Sequence, residues 1–198
     1  MFYTKMDNIN CIKRKIEKII EKSSVPEDPV HSRNTLEWLL KLEPNADVAL
    51  QIAALGHDIE RAVVQRKVKR QSYKNYDDFK YGHSLNSAKI LSELMEGCNI
   101  SRELINDVTS LVSNHETGGD KRSDILKNAD SISFFHVNLP YYFERNSFEE
   151  TKKRYLWGYR KLPVNLKMIV AEFNYDNKKL ESLINVKCLF KNCPATKS

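Results

Sequence analysis

The sequence predicts an all-α protein. Three observations carry that prediction. Apolar residues recur every three or four positions through most of the chain, the spacing of one helix face. The alternating apolar–polar pattern of strands is scarce. Only six glycines and six prolines interrupt 198 residues, which leans the composition toward helix.

The helices follow in order. Ile9, Ile12, Ile16 and Ile19 lie on one face of a first amphipathic helix, which breaks at "SSVPEDP". Asp28 before Pro29 predicts the next start, with Asp28 as the N-cap and proline in the first turn. His31, Thr35, Trp38, Leu39 and Leu42 share a face of that helix, and "EPNAD" ends it. Residues 47–58 are nearly all apolar, so their helix is expected at the centre. Residues 61–74, "RAVVQRKVKRQSYK", hold six basic residues and no acidic one. They read either as a lid over an anionic substrate or as a solvated loop. After "NYDDFKYG" a helix is expected from about His83, carrying Ala88, Leu91 and Leu94. Ser101 caps the next, whose stripe is Leu104, Val108, Leu111 and His115. "ETGGDKR" separates it from a helix over 124–136. Ser147 and Glu150 have capping-box spacing, Pro163 stops the helix they begin, and residues 166–174 and 177–186 complete the chain. The whole, 1–198, is expected to form one compact multi-helix bundle, with the helices of 147–186 packed on it.

Composition narrows the function classes. With 29% charged and 41% hydrophobic residues the chain is ordinary for a globular protein. No apolar run approaches the roughly 20 residues of a membrane span. The N-terminal segment lacks the apolar core of a signal peptide, so a cytoplasmic location is expected. Cys11, Cys98, Cys188 and Cys193 are too scattered for a disulfide framework, and Cys188 and Cys193 have no paired Cys/His set for zinc. The net charge of +6 suits a phosphorylated small molecule or nucleic acid equally.

Chemistry concentrates in six residues: His31, His57, Asp58, His83, His115 and Asp130. His31 heads one apolar stripe and His115 continues another. Asp130 shares a face with Leu126, Phe134 and Val137. In "AALGHDIERA" the pair His57–Asp58 ends the most apolar helix. Burying one such group unpaired costs several kcal/mol. Burying six toward one centre makes sense around a cation, because imidazole and carboxylate are good ligands for divalent transition metals. Neighbours on a helix point about 100° apart, so His57 and Asp58 bracket one metal at a helix end, or Asp58 bridges two.

The order of these residues resembles the HD-domain superfamily of metal-dependent phosphohydrolases, over about residues 25–160. "DPVHSRNT", "ALGHDIER" and "ILKNADSIS" match its histidine, His-Asp and aspartate blocks. "YGHSLNSAKIL" and "LVSNHETGG" resemble the two extra histidine blocks of its bimetallic branch. The resemblance implies an HD-type helical bundle. It implies that His31, His57, Asp58 and Asp130 hold one divalent metal (Mn, Fe, Co, Ni or Zn). Asp58, His83 and His115 would hold a second, with Asp58 bridging. The chain departs from two branches: Arg61 stands where guanosine-tetraphosphate hydrolases carry acidic residues, and no Gly-Tyr-Pro segment follows His115. Those departures argue against guanosine tetraphosphate and cyclic dinucleotides as substrates.

The expected activity is hydrolysis of a nucleotide or other small phosphate ester by an activated water. Asp58 and Arg61 are the catalytic candidates. Arg61, Lys121, Arg122 and Lys127 are the candidate substrate cations. Glu60 and Glu116 are read as surface carboxylates, with proton transfer or ligand orientation as the alternative, and His136 as structural. Nucleic acid is the less favoured partner, because no repeated aromatic–basic pattern accompanies the charge, although Tyr73, Tyr76 and Tyr81 flank the basic segment. Two other classes stay open: a diiron oxygenase cleaving a C–C or C–P bond, which would use the same six ligands, and a non-catalytic metal-bearing module. The number of ionisable ligands disfavours the last.

Overall fold

The computed structural model describes residues 5–184. Cys188, Cys193 and the end of the helix expected over 177–186 lie outside them. Ten α-helices and no strand occur among the described residues, so the chain is all-α. It gathers into two compact units, divided between Ser133 and Phe134.

The first unit contains α1 (Lys5–Ile20), α2 (Asp28–Leu42), α3 (Val48–Gly56), α4 (Tyr76–Glu96), α5 (Arg102–Asn114) and α6 (Lys121–Ser133). Helix α3 is the hub and packs on α1, α2, α5 and α6. Its sequence "VALQIAALG" explains why. Ala49, Leu50, Ile52, Ala53, Ala54, Leu55 and Gly56 are all buried, and the small ones let neighbouring helices approach. Gly56 shows the limit of that approach, since a Cβ there would stand 2.6 Å from Leu91 Cδ2. Around α3 lie Ile12 and Ile16 from α1, Leu39, Leu91, Val108, Val112 and Leu126, all fully buried. Each such side chain contributes about 1.5–3 kcal/mol of transfer free energy.

Local chemistry sets the helix ends, and several differ from expectation. Asp47 caps α3 by accepting from Leu50 N, and α3 stops at Gly56 rather than at 58. His57 is its C-cap and Asp58 opens a 3₁₀ turn, Ile59–Ala62. Asp28 is not a cap: it is the first residue of α2. Its carboxylate instead accepts from Ser23 Oγ at 2.6 Å and pairs with Arg61. Helix α4 begins at Tyr76, not near His83, because Asn75 caps it through Asp78 N and Asp77 and Asp78 occupy its first turn. Gly82 reads as a breaker but sits inside α4, where a Cβ would fall 2.2 Å from the Tyr73 hydroxyl. The basic segment carries short 3₁₀ turns, the end of Ile59–Ala62, Val64–Arg66 and Arg70–Ser72, joined by irregular stretches, and none of its residues is fully buried.

The second unit starts with a π-helical turn, Phe134–Asn138, so α6 ends three residues earlier than expected. It continues through α7 (Leu139–Arg145), α8 (Phe148–Lys161), α9 (Val164–Val170) and α10 (Lys178–Ile184). The Ser147–Glu150 capping box forms as the spacing predicts. Phe135 is the centre of this unit, edge-on to Tyr155 at 5.4 Å and to Tyr159 at 6.4 Å. The Tyr175 hydroxyl donates to the Phe135 carbonyl at 2.6 Å, satisfying it within the widened turn. His136 stacks on Phe173 at 4.9 Å, in keeping with a structural reading. Among the described residues, no helix is long and apolar enough to cross a membrane.

Candidate metal centre

All six candidate ligands fall in the first unit, and they meet. Helix α2 delivers His31, the end of α3 delivers His57 and Asp58, α4 delivers His83, the end of α5 delivers His115, and α6 delivers Asp130. The donor atoms form two triads, His31–His57–Asp130 and Asp58–His83–His115. In the first, His31 Nε2 is 3.3 Å from His57 Nε2 and 3.1 Å from Asp130 Oδ1, and His57 Nε2 is 3.4 Å from Asp130 Oδ1. Donors about 2.0–2.1 Å from a shared ion stand roughly 3.0–3.4 Å apart in octahedral or tetrahedral arrangements, so the spacing fits a divalent ion.

Asp58 faces both triads with different oxygens. Its Oδ2 lies 3.9 Å from His31 Nε2 and 3.8 Å from His57 Nε2. Its Oδ1 lies 2.7 Å from His83 Nε2 and 4.0 Å from His115 Nε2. A carboxylate placed in this way can link two cations.

The far side of every ring is tied off, which fixes the near side as the ligand. His57 Nδ1–H donates to Ala54 O at 3.0 Å and His115 Nδ1–H to Val112 O at 2.7 Å. Both acceptors are carbonyls near a helix end, three residues back. His31 Nδ1–H meets Ser133 Oγ at 2.9 Å, and that hydroxyl donates to His31 O. His83 Nδ1–H donates to the Glu60 carboxylate at 2.5 Å. With Nδ1 as donor in all four, each Nε2 presents its lone pair inward, the arrangement found behind metal-ligating histidines. His115 Nε2 is buried with no hydrogen-bond partner among the described residues. A cation held by these residues would supply the partner it lacks.

Electrostatics agree. Burial disfavours the cationic form of His57, yet Asp58 and Asp130 hold it up to about 9. Burial is likewise outweighed at His83, which Asp58 and Glu60 raise to about 10. Despite burial, His57, Arg61 and His83 keep the Asp58 carboxyl well below the usual range, and His31 and His57 do the same for Asp130. Burial keeps His115 below its ordinary value. The site therefore gathers negative charge that protons on imidazole, or a metal in their place, must balance.

The candidate cations fare differently. Arg61 adjoins the cluster, but its guanidinium spans Asp58 Oδ2 and Asp28 Oδ1, each at 2.9 Å. Asp28 is buried there, and burial pushes its carboxyl up against the pull of Arg61. Arg61 thus orients Asp58. Arg122 binds Asp47 and Asp107, which ties α6 to α5 and to the start of α3. Lys127 binds Asp124 and Thr117 O, and Lys121 is exposed. Arg122 and Lys127, expected to offer charge to a substrate, are each paired with nearby carboxylates.

Four residues stand around the site in roles that the sequence reading did not favour. Glu60 is not a surface residue but is buried, accepting from His83 and from Val68 N. Glu116 is half-buried, 3.7 Å from His115 Nε2, and pairs with Lys80. Ser133 holds His31, and Asp28 holds Arg61. A signal existed for Ser133, three residues after Asp130, and for Lys80, three before His83, since each shares a helix face with a candidate ligand.

The family described as a domain of unknown function (DUF4202) matches residues 3–183. The chain belongs to this family. The match spans both compact units and takes in all six candidate ligands, and the family description assigns no activity. No curated protein and no solved structure matches the chain.

Proposed function

We propose that this protein is a metal-dependent phosphohydrolase of the HD type, acting on a nucleotide or another small phosphate ester. The observation that carries the reading is the donor set: four Nε2 atoms and two carboxylates on five helices, spaced for two cations with Asp58 between them. Its order along the chain is that of the HD superfamily. His31, His57, Asp58 and Asp130 would hold one divalent transition metal, and Asp58, His83 and His115 the other.

When bound, such ions supply Lewis acidity that makes water nucleophilic near neutral pH and neutralise phosphoryl charge. The chain's own residues do the rest. Arg61 and the buried Asp28 fix the Asp58 carboxylate. Glu60, Ser133 and the carbonyls of Ala54 and Val112 hold the four rings in one tautomer. Glu116 places one oxygen on Lys80 and the other beside His115, where it can accept a proton from water. The basic composition suits an anionic substrate.

The test is metal analysis of protein purified without chelators, followed by a screen of phosphate esters with manganese or cobalt. About two ions per chain and release of phosphate or nucleotide are expected. Iron with oxygen uptake and no phosphate release overturns the hydrolase in favour of the diiron oxygenase, and a metal-free, metal-indifferent protein overturns both.

A further inference from the structure

We infer that Lys80 is the cation that receives the substrate's terminal phosphoryl group, and that Glu116 holds its ammonium at the mouth of the site until the anion arrives. The inference rests on the phosphohydrolase reading and deepens it by naming the substrate class, a phosphomonoester or the end of a polyphosphate.

The open side of the cluster points to Lys80. The four imidazoles are at most 9% exposed, whereas Glu116 is 12%, Asp58 16%, Asp130 20% and Lys80 25% exposed. Solvent reaches the cluster at these charged side chains and at Arg61, which is 28% exposed. Lys80 lies one turn before His83 on α4 and pairs there with Glu116. Its ammonium also feels Asp130 and lies 5.9 Å from the Tyr76 ring centroid.

Comparison with Arg61 decides which cation serves the substrate. Releasing Arg61 would strand the buried Asp28 and loosen the Asp58 carboxylate, at the cost of an uncompensated buried charge. Releasing Lys80 leaves Glu116, which is 12% exposed against 4% for Asp28. Glu116 belongs to a donor group with His115 and Asp130, so the cations at the cluster compensate its charge when the ammonium turns away. The four-carbon stem of lysine makes that turn a rotamer change, which the planar fork of Arg61 cannot match.

The exchange also selects the anion. Lys80 must leave a carboxylate with one negative charge for the phosphoryl oxygens. A monoester dianion offers a stronger field than the carboxylate, and a diester monoanion offers one no stronger. Terminal phosphoryl groups are therefore favoured over internal diester links.

The experiment uses manganese-loaded full-length chain with p-nitrophenyl phosphate, bis(p-nitrophenyl) phosphate and inorganic phosphate as probes. Lys80→Met is expected to retain the wild-type metal content and melting temperature. Its KM for the monoester and its calorimetric Kd for phosphate should rise about tenfold or more, the loss of one charge-assisted contact, with little change for the diester. Lys80→Arg should restore part of the phosphate affinity. Glu116→Gln should tighten phosphate binding, an effect that a structural ion pair would not produce. Unchanged KM and phosphate Kd in Lys80→Met, with the wild type still hydrolysing the monoester, overturn the inference and leave the phosphohydrolase reading intact. A wild type that cleaves only the diester overturns the assignment of substrate class. A metal-loaded wild type that neither hydrolyses an ester nor binds phosphate overturns both.

Discussion

Glu60→Gln conserves volume and should nevertheless weaken metal binding. The Glu60 side chain is buried, with one oxygen accepting from His83 Nδ1–H and the other from Val68 N–H. A carboxylate accepts at both positions, whereas a carboxamide has one acceptor and one NH2. If the amide oxygen serves Val68, its NH2 confronts His83 Nδ1–H, and two buried donors face each other. The ring can relieve this only by moving its proton to Nε2, which removes the lone pair that points at Asp58 and His115. If the oxygen serves His83, Val68 N–H faces the NH2 and goes unpaired, at about 1–3 kcal/mol. Removing such a partner behind a ligating histidine typically costs about 10–100-fold in metal affinity, or about 1.4–2.8 kcal/mol. Competition against a chromogenic chelator, with manganese or zinc, measures it directly, and far-ultraviolet circular dichroism checks the fold. Wild-type affinity in a folded Glu60→Gln protein would refute the claim that Glu60 orients His83 for a metal.

Two further outcomes follow from the geometry. Asp58→Ala removes a carboxylate whose two oxygens face the two triads, so metal content measured by mass spectrometry should fall to below half of the wild-type value while helix content stays close to native. Retention of full metal would refute the linking role. In the second unit, Phe135→Ala removes the ring packed edge-on against the stacked Tyr155 and Tyr159 and should destabilise that unit by about 3–5 kcal/mol. Urea denaturation followed by fluorescence reads this, and an unchanged midpoint would show that the aromatic cluster does not hold the unit.

The six candidate ligands were legible in the sequence because their order and helix placement agree with one another. His31, His57, Asp58, His83, His115 and Asp130 sit on apolar helix faces, or at their ends, and such faces must turn inward. Helix ends were less legible. Asn75 is a good cap, but Gly82 disguised the first turns of α4, because the sequence does not show that Tyr73 fills the space a Cβ would need. Asp28 reads as a cap by type. It became an ion-pair partner only because Arg61 is brought against it from 33 positions away.

The same distinction separates the residues around the site. Periodicity alone determined an all-α chain, a central apolar helix over "VALQIAAL" and six candidate ligands, because burial preference is written residue by residue. Tertiary structure decided which oxygen of Asp58 faces which histidines, that Glu60 lies behind His83 and Ser133 behind His31, and that Arg61 is bound by carboxylates. It also decided that Lys80 stands beside Glu116 on the open side. Those facts depend on the relative placement of helices distant in sequence, set by packing of the whole core rather than by any short stretch of chain.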